Sequence, residues 1–400
     1  MLKILTVIGA RPQIIKAAAI SRVITIAYGE RINEKIIHTG QHYDKNMSKV
    51  FFEEMNLPSP AYNLKVGSGS HGAQTAAMIK GLEEIMLKEK PSGVIVYGDT
   101  NSTLAGAIAA SKMHIPVIHI EAGLRSFNKE MPEEINRVLC DHVSTLLFTP
   151  TEAGYCNLIA EGFKENTSAT LSAGASDALS AGVKPYTINN PKIYHCGDVM
   201  YDNCLYFGKR AENRPFMING TDVTDSNYVL VTIHRDSNTD DPKRLSALFK
   251  SIIAISDDFN ISVVLPLHPR TANLFKQNLD PGVYRDVKSN EHIKIIPAVS
   301  FLDMYTLEKG AKLIMTDSGG VQKESFFFRK PCIILRPETE WVELVENGNA
   351  ILADANIEKI TSAFSELTAK TNFTYPALFG DGKSAFFICE TVEGCNCYFC

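Results

Sequence analysis

Charged and hydroxylated side chains recur immediately after apolar runs in this sequence, and their types suit acid/base chemistry beside an anion. The first run ends in Gly9-Ala-Arg11-Pro-Gln-Ile-Ile-Lys16, where glycine permits a tight turn and proline suits a first helical turn. Its two cations, Arg11 and Lys16, suit an anion-facing helix start, and Arg11 alone reads equally well as a surface salt-bridge partner. The run Gly93 to Tyr97 delivers Gly98-Asp99-Thr100, and the next ends in His119-Ile-Glu121-Ala-Gly-Leu-Arg125. Asp99 alone reads equally well as a helix cap. Glu121 does not: a carboxylate ending a buried strand is costly without a partner or a task. Met131-Pro-Glu133-Glu134-Ile-Asn136-Arg137 then opens a helix, with Glu133 and Arg137 spaced for an ordinary surface ion pair.

The second half repeats the pattern. Val229 to Ile233 ends in His234-Arg235, Val263 to Leu267 in His268-Pro-Arg270, and Leu313 to Met315 in Thr316-Asp317-Ser318-Gly319-Gly320. Ser318, Gly319 and Gly320 open a helix whose free N–H groups, at the positive end of its dipole, make a phosphate cradle. Glu324, further along that helix, is placed to accept hydrogen bonds from ribose hydroxyls.

Residues at strand ends do joint chemistry in a parallel α/β sheet, where ligands sit outside the carboxyl ends of the strands. Short apolar runs alternating with helical patterns predict two such sheets. The expected strands are Lys3 to Ile8, Lys35 to Thr39, Gly93 to Tyr97, Val117 to Ile120 and Leu146 to Thr149 in the first half. In the second half they are Lys192 to Cys196, Tyr228 to Ile233, Ile261 to Leu267, His292 to Ile296, Lys312 to Met315 and Cys332 to Leu335. A Ser-, Ala- and Gly-rich stretch from Glu165 to Asn190 reads as the linker, giving domains over residues 1–175 and 190–384 and a tail over 385–400 that turns back toward the first domain.

At 400 residues the chain suits two domains, and 45% hydrophobic with 21% charged residues is a globular balance. A net charge of -5 without a basic stripe disfavours nucleic acid. The first apolar run is far shorter than a membrane span and carries no leader features, so a cytoplasmic protein is expected. Cys397-Tyr-Phe-Cys400 lacks the second pair that zinc wants and the strand-helix context of a redox site, and no metal is expected. Gly67-Ser-Gly69-Ser-His-Gly72 matches a dinucleotide-binding pattern, but no acidic residue lies about twenty positions on, where Ser92 and Gly93 fall. A loop on the substrate side is the better reading.

Gly9-Ala-Arg-Pro, Gly98-Asp-Thr, His119-Ile-Glu-Ala-Gly-Leu-Arg, Pro132-Glu-Glu-Ile-Asn-Arg, Thr232-Ile-His-Arg, His268-Pro and Asp317-Ser-Gly-Gly, in that order, resemble the non-hydrolysing UDP-N-acetylglucosamine 2-epimerases over nearly the whole chain. The resemblance implies two Rossmann-like domains with a cleft between them, the GT-B arrangement. It also implies inversion at C2 of a UDP-linked 2-acetamido sugar: UDP leaves C1 as the C2 proton is removed, and UDP re-adds to the 2-acetamidoglucal with protonation from the other face. By resemblance Asp99, Glu121 and Glu133 are the acid/base candidates, and His234 joins them as a catalytic residue beside the leaving diphosphate. Arg11, Lys16, Arg137, His268, Ser318, Gly319, Gly320 and Glu324 bind substrate. No cofactor is needed, and a homodimer serving envelope polysaccharide synthesis is implied.

Three departures qualify the resemblance. Around Gln41-His42, Tyr43-Asp44 and the Gly67 to Gly72 loop differ from the usual regulatory surroundings, so activation by a second substrate molecule is not expected. Gln13 and the short connection Ser126-Phe-Asn-Lys-Glu-Met131 resemble the branch acting on UDP-2,3-diacetamido-glucuronic acid, in which Asn128 or Lys129 would meet a C6 carboxylate. The tail differs from the family's closing helix. A hydrolysing epimerase, a GT-B glycosyltransferase and a catalytically silent UDP-sugar sensor remain alternatives.

Overall fold

The computed structural model describes residues 1–41, 52, 54–165, 187–211, 215–218, 221–223, 227–267 and 269–395. They form two compact units, one of Met1–Leu205 with Ala377–Cys400 and one of Tyr206–Pro376.

The first unit is built on strands β1 (Leu2–Ile8), β2 (Ile32–His38), β3 (Tyr62–Asn63), β4 (Gly93–Tyr97), β5 (Val117–Ile120), β6 (Leu146–Thr149) and β7 (Lys192–His195). All pair in parallel in the order β3-β2-β1-β4-β5-β6-β7. Chain order reverses between β1 and β4, the switch point outside whose carboxyl ends a parallel α/β sheet binds ligand. The inner strands are apolar on both faces, with Leu5, Val7, Val94, Val96 and Val117 fully buried, because helices cover both sides. Those that matter below are α1 (Arg11–Val23), α2 (His71–Glu89), α3 (Asn101–Lys112) and α4 (Pro132–Val143).

The strand Lys192–His195, expected in the second half, extends the first sheet by pairing with β6, Leu147 opposite Ile193. The chain leaves this unit only within α5 (Val199–Arg210), so the division falls after Leu205 rather than in the predicted linker, whose residues 166–186 lie outside the described residues. The chain returns at Ala377, and helix Ser384–Gly394 packs against α1. Cys397 and Cys400 lie outside the described residues.

The second unit opens with a two-stranded hairpin, β8 (Met217–Ile218) and β9 (Thr221–Asp222). Its main sheet comprises β10 (Tyr228–Thr232), β11 (Ser262–Leu267), β12 (Ile293–Pro297), β13 (Leu313–Thr316), β14 (Cys332–Ile334) and β15 (Ala350–Leu352). The order β12-β11-β10-β13-β14-β15, again all parallel, reverses between β10 and β13. Val229, Val231, Leu313, Met315 and Ile333 form its buried core with Leu248 and Ile252. Helix α6 (Gly319–Phe327) starts at the carboxyl end of β13. Strands β3 and β15 had no counterpart among the expected strands; both are two- or three-residue edges, too short to show a pattern.

Candidate active site

The first group of chemical residues gathers at the reversal point of the first sheet. Gly9 ends β1 against the start of α3: a Cβ there would sit 2.0 Å from Ser102 Oγ, so only glycine lets the two elements meet. Arg11 opens α1, and Lys16, a turn and a half later, forms a buried ion pair with Glu121. That pair lies against Gly98, whose absent Cβ would be 3.0 Å from Lys16 Nζ and 3.4 Å from Glu121 Oε1, which places it beside Asp99. Glu121 holds a left-handed backbone at φ 71°, a conformation that costs a side-chain-bearing residue about 1–2 kcal/mol. The Glu121 and Ala122 N–H groups both donate to the Phe148 carbonyl, at 3.1 and 3.0 Å, and fix this turn. Strain of this kind concentrates where a side chain must be aimed.

Asp99 does not cap the following helix. Thr100 does, with its Oγ1 accepting from the Thr103 N–H, which leaves the Asp99 carboxylate to pair with Arg137. Arg137 also donates to Glu134 Oε2 at 2.7 Å, so the surface pair expected between Glu133 and Arg137 is replaced by a partly buried Asp99–Arg137–Glu134 chain. The reason is helical geometry: Glu134 and Arg137 share the inward face of α4, whereas Glu133 is half-buried and makes no ion pair or hydrogen bond among the described residues. Glu134 also accepts from Ser126 N (2.9 Å), Ser126 Oγ (2.9 Å) and Phe127 N (3.0 Å), and thereby ties down the loop carrying Asn128 and Lys129.

Residues outside the assigned acid/base and binding groups support the site. Asn136 donates to the Asp99 carbonyl at 2.9 Å and to Asn101, which also meets Gln74 and His71, so the Gly67 to Gly72 loop is tied into the site. Gln13 is buried: its Oε1 accepts from Gly9 N and Ala10 N while its Nε2 donates to the Tyr97 carbonyl and Thr103. It thus serves the fold, which removes it as a direct marker of sugar preference. His119 is fully buried between the Gly98 carbonyl (2.8 Å) and Asp141 (2.7 Å), and Asp141 continues to Arg125 (2.8 Å). A histidine inside an apolar strand was the one visible signal for this array. His42, Tyr43 and Asp44 lie outside the described residues.

The second group stands at the reversal point of the other sheet. His234 follows β10 and is half exposed, with Nδ1 3.0 Å from Asp317. Asp317 is fully buried and also accepts from His234 N (3.1 Å), Arg235 N (3.0 Å) and Asn238 Nδ2 (3.1 Å). Burial works against its charge, but His234 and these donors outweigh it and hold the carboxyl below its ordinary range. Ser318 caps α6, followed by Gly319 and Gly320, and Glu324 is buried further along the same helix. Trp341, beside Gly319, carries Lys323 Nζ 4.2 Å over its ring, and the buried Arg336–Glu340 pair, two contacts of 3.0 Å, braces that wall. His268 lies outside the described residues. Among the described residues no cluster of three or more His, Cys, Asp or Glu is arranged to hold a metal ion.

Two doubly wound units, each with charged groups at its sheet's reversal point, define a GT-B-like nucleotide-sugar enzyme. The chain belongs to the UDP-N-acetylglucosamine 2-epimerase family, whose model matches residues 25–393. It is 44% identical to a UDP-N-acetylglucosamine 2-epimerase homolog of Methanococcus maripaludis, covering 98% of this chain and 99% of that one. It is also 44% identical to the UDP-2,3-diacetamido-2,3-dideoxy-D-glucuronate 2-epimerase of Pseudomonas aeruginosa, over 97% and 99%. The crystal structure of the Methanocaldococcus jannaschii UDP-GlcNAc 2-epimerase in complex with UDP-GlcNAc and UDP superposes with a TM-score of 0.81, at 41% identity over 98% of this chain and 99% of that one.

Proposed function

We propose that this epimerase interconverts UDP-N-acetylglucosamine and UDP-N-acetylmannosamine by elimination of UDP and re-addition. The observation that carries the mechanism is the grouping of Glu121, paired to Lys16, against Gly98 and hence beside Asp99 at one sheet's reversal point. Inversion through a glucal needs proton transfer on both faces of C2, and therefore more than one acid/base group. Asp99 and Glu121 are held in fixed directions by Arg137 and Lys16, while Glu133, unpaired among the described residues, is free to approach the sugar.

The C2 proton is not acidic in the ground state, so its loss must accompany departure of UDP from C1. Positive charge at the leaving diphosphate lowers that barrier. In this reading His234, Arg11, Lys16, His268 and the Ser318-Gly319-Gly320 helix start supply it, and Glu324 takes the ribose. A homodimer working in the cytoplasm on an envelope polysaccharide precursor completes the proposal; no helix among the described residues is long and apolar enough to cross a membrane.

A second substrate, UDP-2,3-diacetamido-glucuronic acid, is supported by the 44% identity to the Pseudomonas enzyme, equal to that with the Methanococcus homolog. Lys129 is exposed on the loop anchored by Glu134, where it would meet a C6 carboxylate. Proton NMR in deuterated water decides. Deuterium at C2 with growth of UDP-N-acetylmannosamine supports the first substrate. Exchange confined to the uronic acid, weakened by Lys129→Ala, supports the second. Free N-acetylmannosamine means hydrolysis, and no exchange with either sugar overturns epimerisation in favour of a transferase or sensor.

A further inference from the structure

We infer that His119 is a positioning residue of the acid/base site: as an imidazolium donating from both ring nitrogens, it locks the turn before Asp99 to the turn after Glu121. The inference rests on the reading of Asp99 and Glu121 as the acid/base groups.

The ring is completely buried, with one partner at each nitrogen and the buried Cys140 of α4 also against it. Nε2 lies 2.8 Å from the Gly98 carbonyl, which can only accept, so Nε2 carries a proton. Nδ1 lies 2.7 Å from Asp141 Oδ1. The other Asp141 oxygen accepts from Arg125 Nη1 at 2.8 Å and from Gly123 N at 3.1 Å, so Asp141 already faces a guanidinium and stands as the anion. Arg125 in turn meets Glu161 through two contacts of 2.6 and 2.7 Å. Glu161, Arg125, Asp141 and a charged His119 thus alternate in sign, with His142 Nε2 3.3 Å from Glu161 at the outer end and Cys140 beside the ring at the inner one. Burial opposes that charge, and Cys140 and Asp141 outweigh it and hold His119 well above the ordinary histidine range.

The consequence is geometric. Gly98, at φ 62°, donates its N–H to the Ile120 carbonyl at 2.9 Å and gives its own carbonyl to His119, so the peptide leading into Asp99 is fixed on both sides. Across the ring, Asp141 takes the Gly123 N–H and so fixes the segment leaving Glu121. One buried cation therefore sets the spacing of two carboxylates without touching substrate. A neutral ring could serve only one of the two turns as a donor.

Nitrogen-15 NMR of histidine-labelled protein tests the charge directly. The expected result is one ring that keeps both nitrogens protonated at a pH well above where an ordinary histidine titrates. Its signal should vanish in His119→Gln and become that of a neutral ring in Asp141→Asn. A neutral His119 in the unmodified protein at about pH 7.5 overturns the inference. Both variants should lose about 100-fold in kcat with KM and UDP affinity little changed, the pattern of misaimed groups rather than of lost binding. Should His119→Gln fail to fold, Asp141→Asn carries both the assignment and the kinetics. A folded variant with full kcat overturns the positioning role. Absence of C2 exchange in the unmodified protein would instead sink the epimerase reading, and the NMR result would still stand on its own.

Discussion

Two adjacent glutamates show what single residues contribute. Glu134 is buried and accepts from Arg137, Ser126 and Phe127, whereas Glu133 is half-buried and makes no such contact among the described residues. Glu134→Gln removes a charge that Arg137 requires and should cost about 2–4 kcal/mol in urea denaturation. Glu133→Gln should change stability by no more than about 0.5 kcal/mol while abolishing C2 exchange. Equal stability losses would contradict the assignment of the two positions. The Lys16–Glu121 pair makes a similar case. Lys16→Met removes the cation paired with a buried carboxylate and should cost about 3 kcal/mol, and adding Glu121→Gln should restore part of that loss, which a double-mutant cycle measures. Strict additivity would mean that the pair is not coupled. The sequence made Asp99, Glu121 and Lys16 legible because each follows an apolar run. It did not separate Glu133 from Glu134, because that choice depends on which face of α4 turns inward.

At the level of elements, strands β4, β5 and β6 were legible to the residue, being apolar runs closed by glycine or polar residues. The partners they acquire in space were not. Nothing local says that Asp141, on α4, comes to rest beside His119 on β5. The same holds for Asp202 on α5. Its carboxylate accepts Ser384 N at 3.2 Å and Ala385 N at 2.7 Å, capping the helix Ser384–Gly394 that closes the first unit. Burial, with Asp198 nearby, outweighs those N–H donors and pushes its pKa up from 3.8 to about 6. The folded state therefore holds this proton more tightly than the unfolded chain does. Its stabilising contribution is full below about pH 4 and is lost as pH rises through about 6, by about 3 kcal/mol. Asp202→Asn cannot titrate, so the stability of the variant relative to the unmodified protein should rise by about that amount across this window. Urea midpoints measured through the window check it, and parallel curves would show that Asp202 titrates as it does in the unfolded chain.

For the whole molecule, the consequential fact is that one unit is made from both ends of the chain while the other is continuous from Tyr206 to Pro376. The returning segment supplies Ile388, Cys389 and Val392, each no more than 2% exposed, against Ile4, Ile20 and Ile95. Burying apolar side chains of this size stabilises by about 1.5–3 kcal/mol each, so the helix contributes on the order of 5 kcal/mol. That is comparable with the whole stability of a typical domain. A chain ending at Pro376 should therefore lose the first unit's thermal transition or shift it far down, while the second unit, which keeps every strand of its sheet, melts as before. If α6 and His234 hold UDP as proposed, UDP at about 100 times its Kd should still raise the surviving transition by about 2.7 kcal/mol, whereas C2 exchange vanishes with the first unit. Calorimetry of the shortened chain with and without UDP separates the cases. Two transitions at their full-length temperatures would mean that the closing helix is dispensable. A second unit that melts together with the first would mean that the continuous segment does not fold independently.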